Sequence, residues 1–234
     1  MFSLCIPTMD RFDTYLNKYL HDYLKNDMIH EIIITDENGN DIDKIKMMYP
    51  DSLKLKLFKN NIRLGPFLNK LEACNKAQNE WIVLMDSDNF APVEYFEKAQ
   101  MYINNVVGTQ KNVILAPCFA RPSFNYSHFS GIVFKRGHFE VNAELLMNTG
   151  NYVINKYLIE SLDLTNEKNN IQYSSACDVI YFNTLLFEQL DLHLHVVSGM
   201  EYDHVVHPGS IYLQTCNNFR HFNEYVYSRF NSLK

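Results

Sequence analysis

The sequence predicts an α/β fold, a parallel sheet with helices packed against it, and three observations carry that prediction. Short apolar runs recur at residues 2–7, 31–36 and 81–85, each the length of a strand buried on both faces. Helical stretches separate them, so strand, helix, strand, helix, strand is the rhythm of the first half. The run Trp81-Ile82-Val83-Leu84-Met85 then ends in Asp86-Ser87-Asp88-Asn89, two acids one residue apart. In open α/β sheets ligands bind at the carboxyl ends of the strands, where these acids would stand.

Taken in order, residues 2–7 form the first buried strand. Pro7-Thr8-Met9-Asp10-Arg11 breaks it into a helix running to about Lys25, with Thr8 or Asp10 as N-cap. Residues 31–36 form a second strand that again ends in a carboxylate, Asp36, with Asn38-Gly39 as a turn signal. Leu53, Leu55 and Leu57 alternate with lysines, which predicts a third strand exposed on one face. After Arg63-Leu64-Gly65-Pro66 a helix is expected to about Asn79, with Leu64, Leu68 and Leu71 on one side. The strand at 81–85 follows, and Pro92 starts a helix to about Tyr102. Residues 113–117 read as a strand and 118–130 as an aromatic loop carrying Phe119, Phe124, Tyr126 and Phe129. Shorter strands are expected at 131–135 and 151–155, and a helix opens near Asp178 and ends near Leu190. Leu192, Leu194 and Val196 alternate with His193 and His195 in a late strand whose histidines would face solvent. A polar turn from Tyr202 to Ser210 precedes a final helix rich in Phe and Tyr. No repeat, low-complexity tract or linker interrupts the chain, so residues 1–234 are read as one domain.

A net charge of −6 with no Lys/Arg block argues against general nucleic-acid binding. The 5 cysteines are isolated, with no Cys-x-x-Cys pair, so neither a zinc knuckle nor a disulfide framework is indicated. No apolar stretch reaches membrane-spanning length, and the first residues lack a basic leader, so a cytoplasmic protein with reduced thiols is expected.

Two carboxylates as close as Asp86 and Asp88 repel unless something positive lies between them. A divalent cation that prefers oxygen, its shell completed by substrate phosphates, is the natural partner. A plain polar turn after a strand would show the same letters.

Further residues carry a resemblance. Ile6-Pro7-Thr8-Met9-Asp10-Arg11 after the first strand, Ile33-Ile34-Thr35-Asp36 at the end of the second, and the order from Asn69 to Asp88 followed by Pro92 resemble family-2-type glycosyltransferases of the GT-A fold. The short domains of this kind encoded by large DNA viruses are the subgroup it most resembles. The resemblance covers the first hundred residues well and the rest loosely. It implies a mixed, mainly parallel sheet, with residues 1–110 binding a nucleotide-diphosphate sugar, UDP being the commonest carrier. Residues 111–234 would bind a glycan or other hydroxyl acceptor. By that resemblance Pro7, Thr8 and Arg11 line the nucleoside pocket, while Asp36 accepts a hydrogen bond from base or ribose near Arg63 and Asn69. Asp86 and Ser87 would face the ribose and the metal hydration shell, and Asp88 would ligate Mn²⁺ or Mg²⁺ directly. His207 would be a late metal ligand, with His204 as rival. Asp178 falls where the family carries the general base of inverting transfer. Each role has a plainer alternative: Asp36 as a strand-end turn residue, Arg11 as a solvated helix residue, and Asp178 as the partner of Ser175 in a capping box. Phe124, Tyr126 and Phe129 would stack on an acceptor sugar or simply pack the core, and the loop Thr149-Gly150-Asn151 would also reach the acceptor.

Three other functions compete. A sugar-nucleotide pyrophosphorylase should show a Gly-rich, basic loop after the first strand, and Pro7-Thr8-Met9-Asp10 offers none. A haloacid-dehalogenase-type phosphatase uses its first Asp as nucleophile and a small or hydroxyl residue two positions beyond the motif, where Phe90 stands here. A non-catalytic glycan-binding domain of the same fold would not need its acids.

Overall fold

The structure is a computed structural model that describes residues 1–138, 151–176, 178–210 and 217–234. Thr149, Gly150, Cys177, Cys216 and the Ser175 side chain lie outside the described set. Strand β1 (Phe2–Thr8) is buried throughout and pairs in parallel with β2 (Ile29–Asp36) and β4 (Trp81–Leu84). Strand β3 (Leu55–Lys59) adds in parallel beyond β2. On the other side, β8 (Val153–Asn155) runs antiparallel to both β4 and β5 (Val113–Arg121). Strand β9 (His193–Asp203) is parallel to β5, and β7 (Val133–Phe134) closes that edge, giving the order β3-β2-β1-β4-β8-β5-β9-β7. The two-residue β6 (Phe124–Asn125) hangs on β5. Because β8 is reversed against both neighbours, β5 and β9 point the same way as β4. The carboxyl ends of β1, β2, β4, β5 and β9 therefore meet along one side of the sheet.

The pleat divides the core. Phe2, Leu4 and Ile6 of β1 and Val83 of β4 face one layer with α1 (Asn17–Lys25) and α4 (Val93–Tyr102). Cys5, Ile82, Leu84, Ile114 and Ala116 face the other, with α3 (Gly65–Asn75), α5 (Lys156–Glu160), α6 (Asp178–Gln189) and α7 (Arg220–Asn231). Both faces are covered by helices, which is why β1 and β4 read as continuous apolar runs.

Several elements depart from the sequence reading. A helix, α2 (Asn40–Met48), follows the Asn38-Gly39 turn, burying Ile42 and Ile45 three positions apart. Gly39 starts it at φ 88, a left-handed conformation that glycine adopts without steric cost. Neither Thr8 nor Asp10 caps the helix after β1. The N–H groups of Arg11 and Phe12 are instead taken by the two oxygens of Asp41, at 3.0 Å each, from across α2. Strand β3 begins two residues later than Leu53, which is 90% exposed. Pairing with β2 sets that register, Leu55 opposite Ile32. Helix α3 turns Phe67, Leu71 and Cys74 inward, while Leu64 and Leu68 are half-buried. Strands β5 and β9 extend beyond 117 and 196, so Tyr202 is a buried strand residue and not part of a turn. His195 is buried too, its Nδ1 3.1 Å from the Tyr102 hydroxyl. Cys5, Cys74 and Cys118 are buried free thiols.

Helix α7 buries Phe222, Val226 and Phe230, and a guanidinium ties it further. Arg229 reaches Glu188 through Nε at 3.0 Å and Glu167 through Nη1 at 3.1 Å, while Tyr181 donates to the same Glu167 carboxylate at 2.6 Å. Burial would raise the Glu167 carboxyl, but hydrogen bonds from Arg229, Tyr181 and Asn170 hold it below the usual range. Arg229→Met leaves Glu167 and Glu188 without their cation, and a buried polar group robbed of its partner costs about 1–3 kcal/mol. Chemical denaturation should show that loss. An unchanged midpoint and slope would mean the fork adds nothing to stability.

Candidate active site

The β1 turn, the β4 turn and the segment after β9 are joined by direct contacts. At the end of β1, the Thr8 hydroxyl donates to Asp41, and Pro7 lies buried opposite Thr35 in the ladder. Arg11 turns back, donating from Nη2 to the Gly209 carbonyl at 2.7 Å, with its guanidinium over the Tyr15 ring. Tyr15 in turn packs on the His207 ring, centroids 4.9 Å apart. The first turn thus joins the segment after β9 across a separation of 198 residues.

Asp36 is fully buried. One oxygen accepts from Asn38 N at 3.2 Å and the other from Asp41 N and Ile42 N at 2.9 and 3.1 Å, so the carboxylate ties off the start of α2. Asn69 is also buried and works on backbone and amide partners. It donates to the Thr35 and Thr8 carbonyls at 3.3 and 3.5 Å and accepts from Asn60 at 3.0 Å, pinning α3 to the ends of β1 and β2. Arg63 is exposed in the turn before α3.

Beyond β4 the two acids diverge. Asp86 points inward, its Oδ1 3.0 Å from Lys70 Nζ, while Oδ2 accepts from Asn151 Nδ2 at 3.3 Å. Asn151 also accepts from Asp86 N at 2.7 Å, so this fully buried amide grips both ends of the residue. Ser87 is buried between the acids. Asp88 points the other way, its Oδ2 2.9 Å from His207 Nε2. Asn89 anchors the same segment by accepting from Val205 N at 2.9 Å. His204 lies behind, edge-on to Phe124 at 5.1 Å; burial lowers its pKa, against the pull of Asp86 and Asp88. Tyr126 and Phe129 belong to the core, so of the three aromatics only Phe124 is partly exposed.

Asp178 opens α6 and meets Lys70 at 2.6 Å. One ammonium therefore sits between Asp178 and Asp86. Burial raises the Asp178 carboxyl above the ordinary aspartate range, the Asp86 charge adds to this, and Lys70 opposes it. Burial alone would lower the Lys70 ammonium, yet the two carboxylates hold it above the usual lysine value.

The structure thus gathers Asp86, Asp88, His207 and Asp178 at one end of the sheet and sets Arg63 apart on the surface. Lys70, Asp41 and Asn151 do work the sequence reading did not assign. A signal existed for Lys70: it stands three residues after Phe67 and four before Cys74, on the inward face of α3. A lysine there needs a buried acid.

Arrangement and topology define the class as a GT-A-type fold, with a mixed, mainly parallel sheet and paired acids at its carboxyl edge. The chain belongs to glycosyl transferase family 2, whose profile matches residues 3–158. That membership sets aside the pyrophosphorylase and phosphatase readings. A comparison with curated protein sequences gave no match. Among solved structures, the chain is similar to S. aureus TarS, with TM-score 0.67 and 16% identity over 99% of this chain and 43% of that one. It is also similar to TarS 1–349 in complex with UDP (TM-score 0.65, 16% identity, 98% and 70% covered). TarS 1–349 in complex with UDP-GlcNAc gives TM-score 0.68 and 15% identity, with 97% and 66% covered. The chain spans less than half of full TarS. No helix among the described residues is long and apolar enough to cross a membrane.

Proposed function

We propose that this chain transfers a sugar from a nucleotide-diphosphate sugar, UDP-linked, to a hydroxyl of a glycan or other acceptor, with inversion and with Asp178 as general base. The observation that carries the reading is that Asp178 shares one ammonium, Lys70, with Asp86 of the turn after β4. An acceptor hydroxyl must lose its proton as it attacks, and a half-buried carboxylate with a raised proton affinity is suited to take it. The tie from Arg11 and Tyr15 to Gly209 and His207 supports a donor pocket walled by the β1 turn and the segment after β9. UDP and UDP-GlcNAc are the ligands bound in the similar TarS structures, so UDP sugars head the candidates.

The donor set fits a hard divalent cation. Asp88 and His207 offer one carboxylate and one imidazole side by side, and no third His, Cys, Asp or Glu joins them among the described residues. Mn²⁺ or Mg²⁺ commonly keeps such a sparse protein set and completes its shell with phosphate oxygens and water. Asp88 and His207 would hold it, and it would supply positive charge for the departing diphosphate.

A panel of UDP, TDP and GDP sugars with Mn²⁺, read by nucleotide diphosphate release and thermal shift, tests this reading. Metal-dependent release and stabilisation with one nucleotide class are expected. Stabilisation by a glycan with no response to any nucleotide sugar would favour the non-catalytic domain instead.

A further inference from the structure

We propose that Lys70 is a positioning residue for the transfer step, holding Asp178 in fixed register with the donor site. The proposal rests on the reading of Asp178 as general base. The Lys70 ammonium lies 2.6 Å from Asp178 Oδ2 and 3.0 Å from Asp86 Oδ1, with its side chain only 11% exposed. The two acids come from distant parts of the chain, one on the turn after β4 and one at the start of α6, and the lysine bridges the ion pair to Asp178 across 108 residues.

The lysine's own foundation is rigid. Its neighbour Asn69 ties α3 to the ends of β1 and β2, the strands that frame the donor side. A charge on that helix therefore reports the donor site's position to whatever it binds, and it binds Asp178. Asp86 has a second holder: Asn151 grips its backbone N–H and Oδ2. Loss of Lys70 thus leaves Asp86 the grip of Asn151 and takes from Asp178 its ion-pair partner.

The charge count points the same way. Simple neutralisation of a buried lysine needs one carboxylate, and this one has two. The surplus negative charge is left on the Asp86–Asp178 pair, where a proton acceptor is required. A lysine is also a compact point charge on a flexible stem, suited to touch two acids from different directions, whereas a planar guanidinium would demand a fork.

The test compares Lys70→Met, Asp178→Asn and the double variant for thermal melting, calorimetric donor affinity and kcat. Lys70→Met is expected to fold, to keep donor affinity within about tenfold, and to lose at least about 100-fold in kcat, because a misplaced base forfeits most of its assistance. In the double variant the losses should not multiply, since both changes remove one function. Turnover of Lys70→Met near the parental rate, or multiplying losses, overturns the proposal. If Asp178→Asn itself turns over normally, the base reading has failed; if it is slow while Lys70→Met is fast, only the lysine proposal has. Should Lys70→Met not fold, Lys70→Arg serves: it keeps the charge but shifts it, so slower turnover at retained donor affinity supports positioning and unchanged kcat overturns it.

Discussion

Asp178→Asn should leave a folded protein that binds its nucleotide sugar and transfers the sugar at least about 100-fold more slowly, the lower end of what loss of general-base assistance costs. A base acts only in the chemical step, so kcat should fall with little change in donor affinity. The plainer alternative makes a different prediction. A helix cap removed costs about 1 kcal/mol of stability and leaves turnover alone. Asparagine keeps the size and hydrogen-bonding capacity of the side chain, so it separates the two better than alanine. The environment adds a pH signature. Burial raises the Asp178 carboxyl despite the Lys70 ammonium, so its protonation should slow transfer at a higher pH than an ordinary aspartate would allow. Activity should rise as pH climbs through that value, because the unprotonated form accepts the proton, and this acid limb should vanish in the variant. Parental turnover by Asp178→Asn would place the base elsewhere or make the mechanism retaining.

Asp88→Asn should abolish Mn²⁺-dependent binding of a nucleoside diphosphate. The side chain is 22% exposed, and its contact is the His207 imidazole, which an asparagine oxygen also satisfies. Stability should therefore stay within about 0.5 kcal/mol of the parent, as for most changes outside the core. Calorimetric titration of UDP with and without Mn²⁺ reads the effect directly. Equal, metal-dependent affinity in parent and variant would sink the assignment of Asp88 as a ligand.

Much of the frame was legible in the sequence because it is written in local pattern. Continuous apolar runs marked β1, β2 and β4, and the acids after β4 marked the edge where ligands meet an α/β sheet. Local pattern failed where a distant partner set the outcome. Sequence neighbourhood offers Thr8 or Asp10 as the cap of the β1 turn, and the cap comes from Asp41. Alternating leucines start the third strand at Leu53, and pairing with β2 starts it at Leu55. His193 and His195 read as one solvated face, yet His195 is covered by Tyr102.

By itself, then, the sequence determined the fold class, the family and the acid pair at the sheet's edge, since hydrophobic period and short motifs need no partner to be read. Tertiary structure decided the partners that no motif implies. It set Asp86 and Asp178 on one ammonium, Lys70, and it turned Asp36 and Asn69 onto the backbone, while the meeting of Asp88 with His207, which the resemblance implied, became a 2.9 Å contact. The reason is physical. An ion pair or hydrogen bond depends on angstrom-scale distance between groups whose spacing along the chain carries no record of it, and only the packing of helices on both faces of the sheet sets that distance.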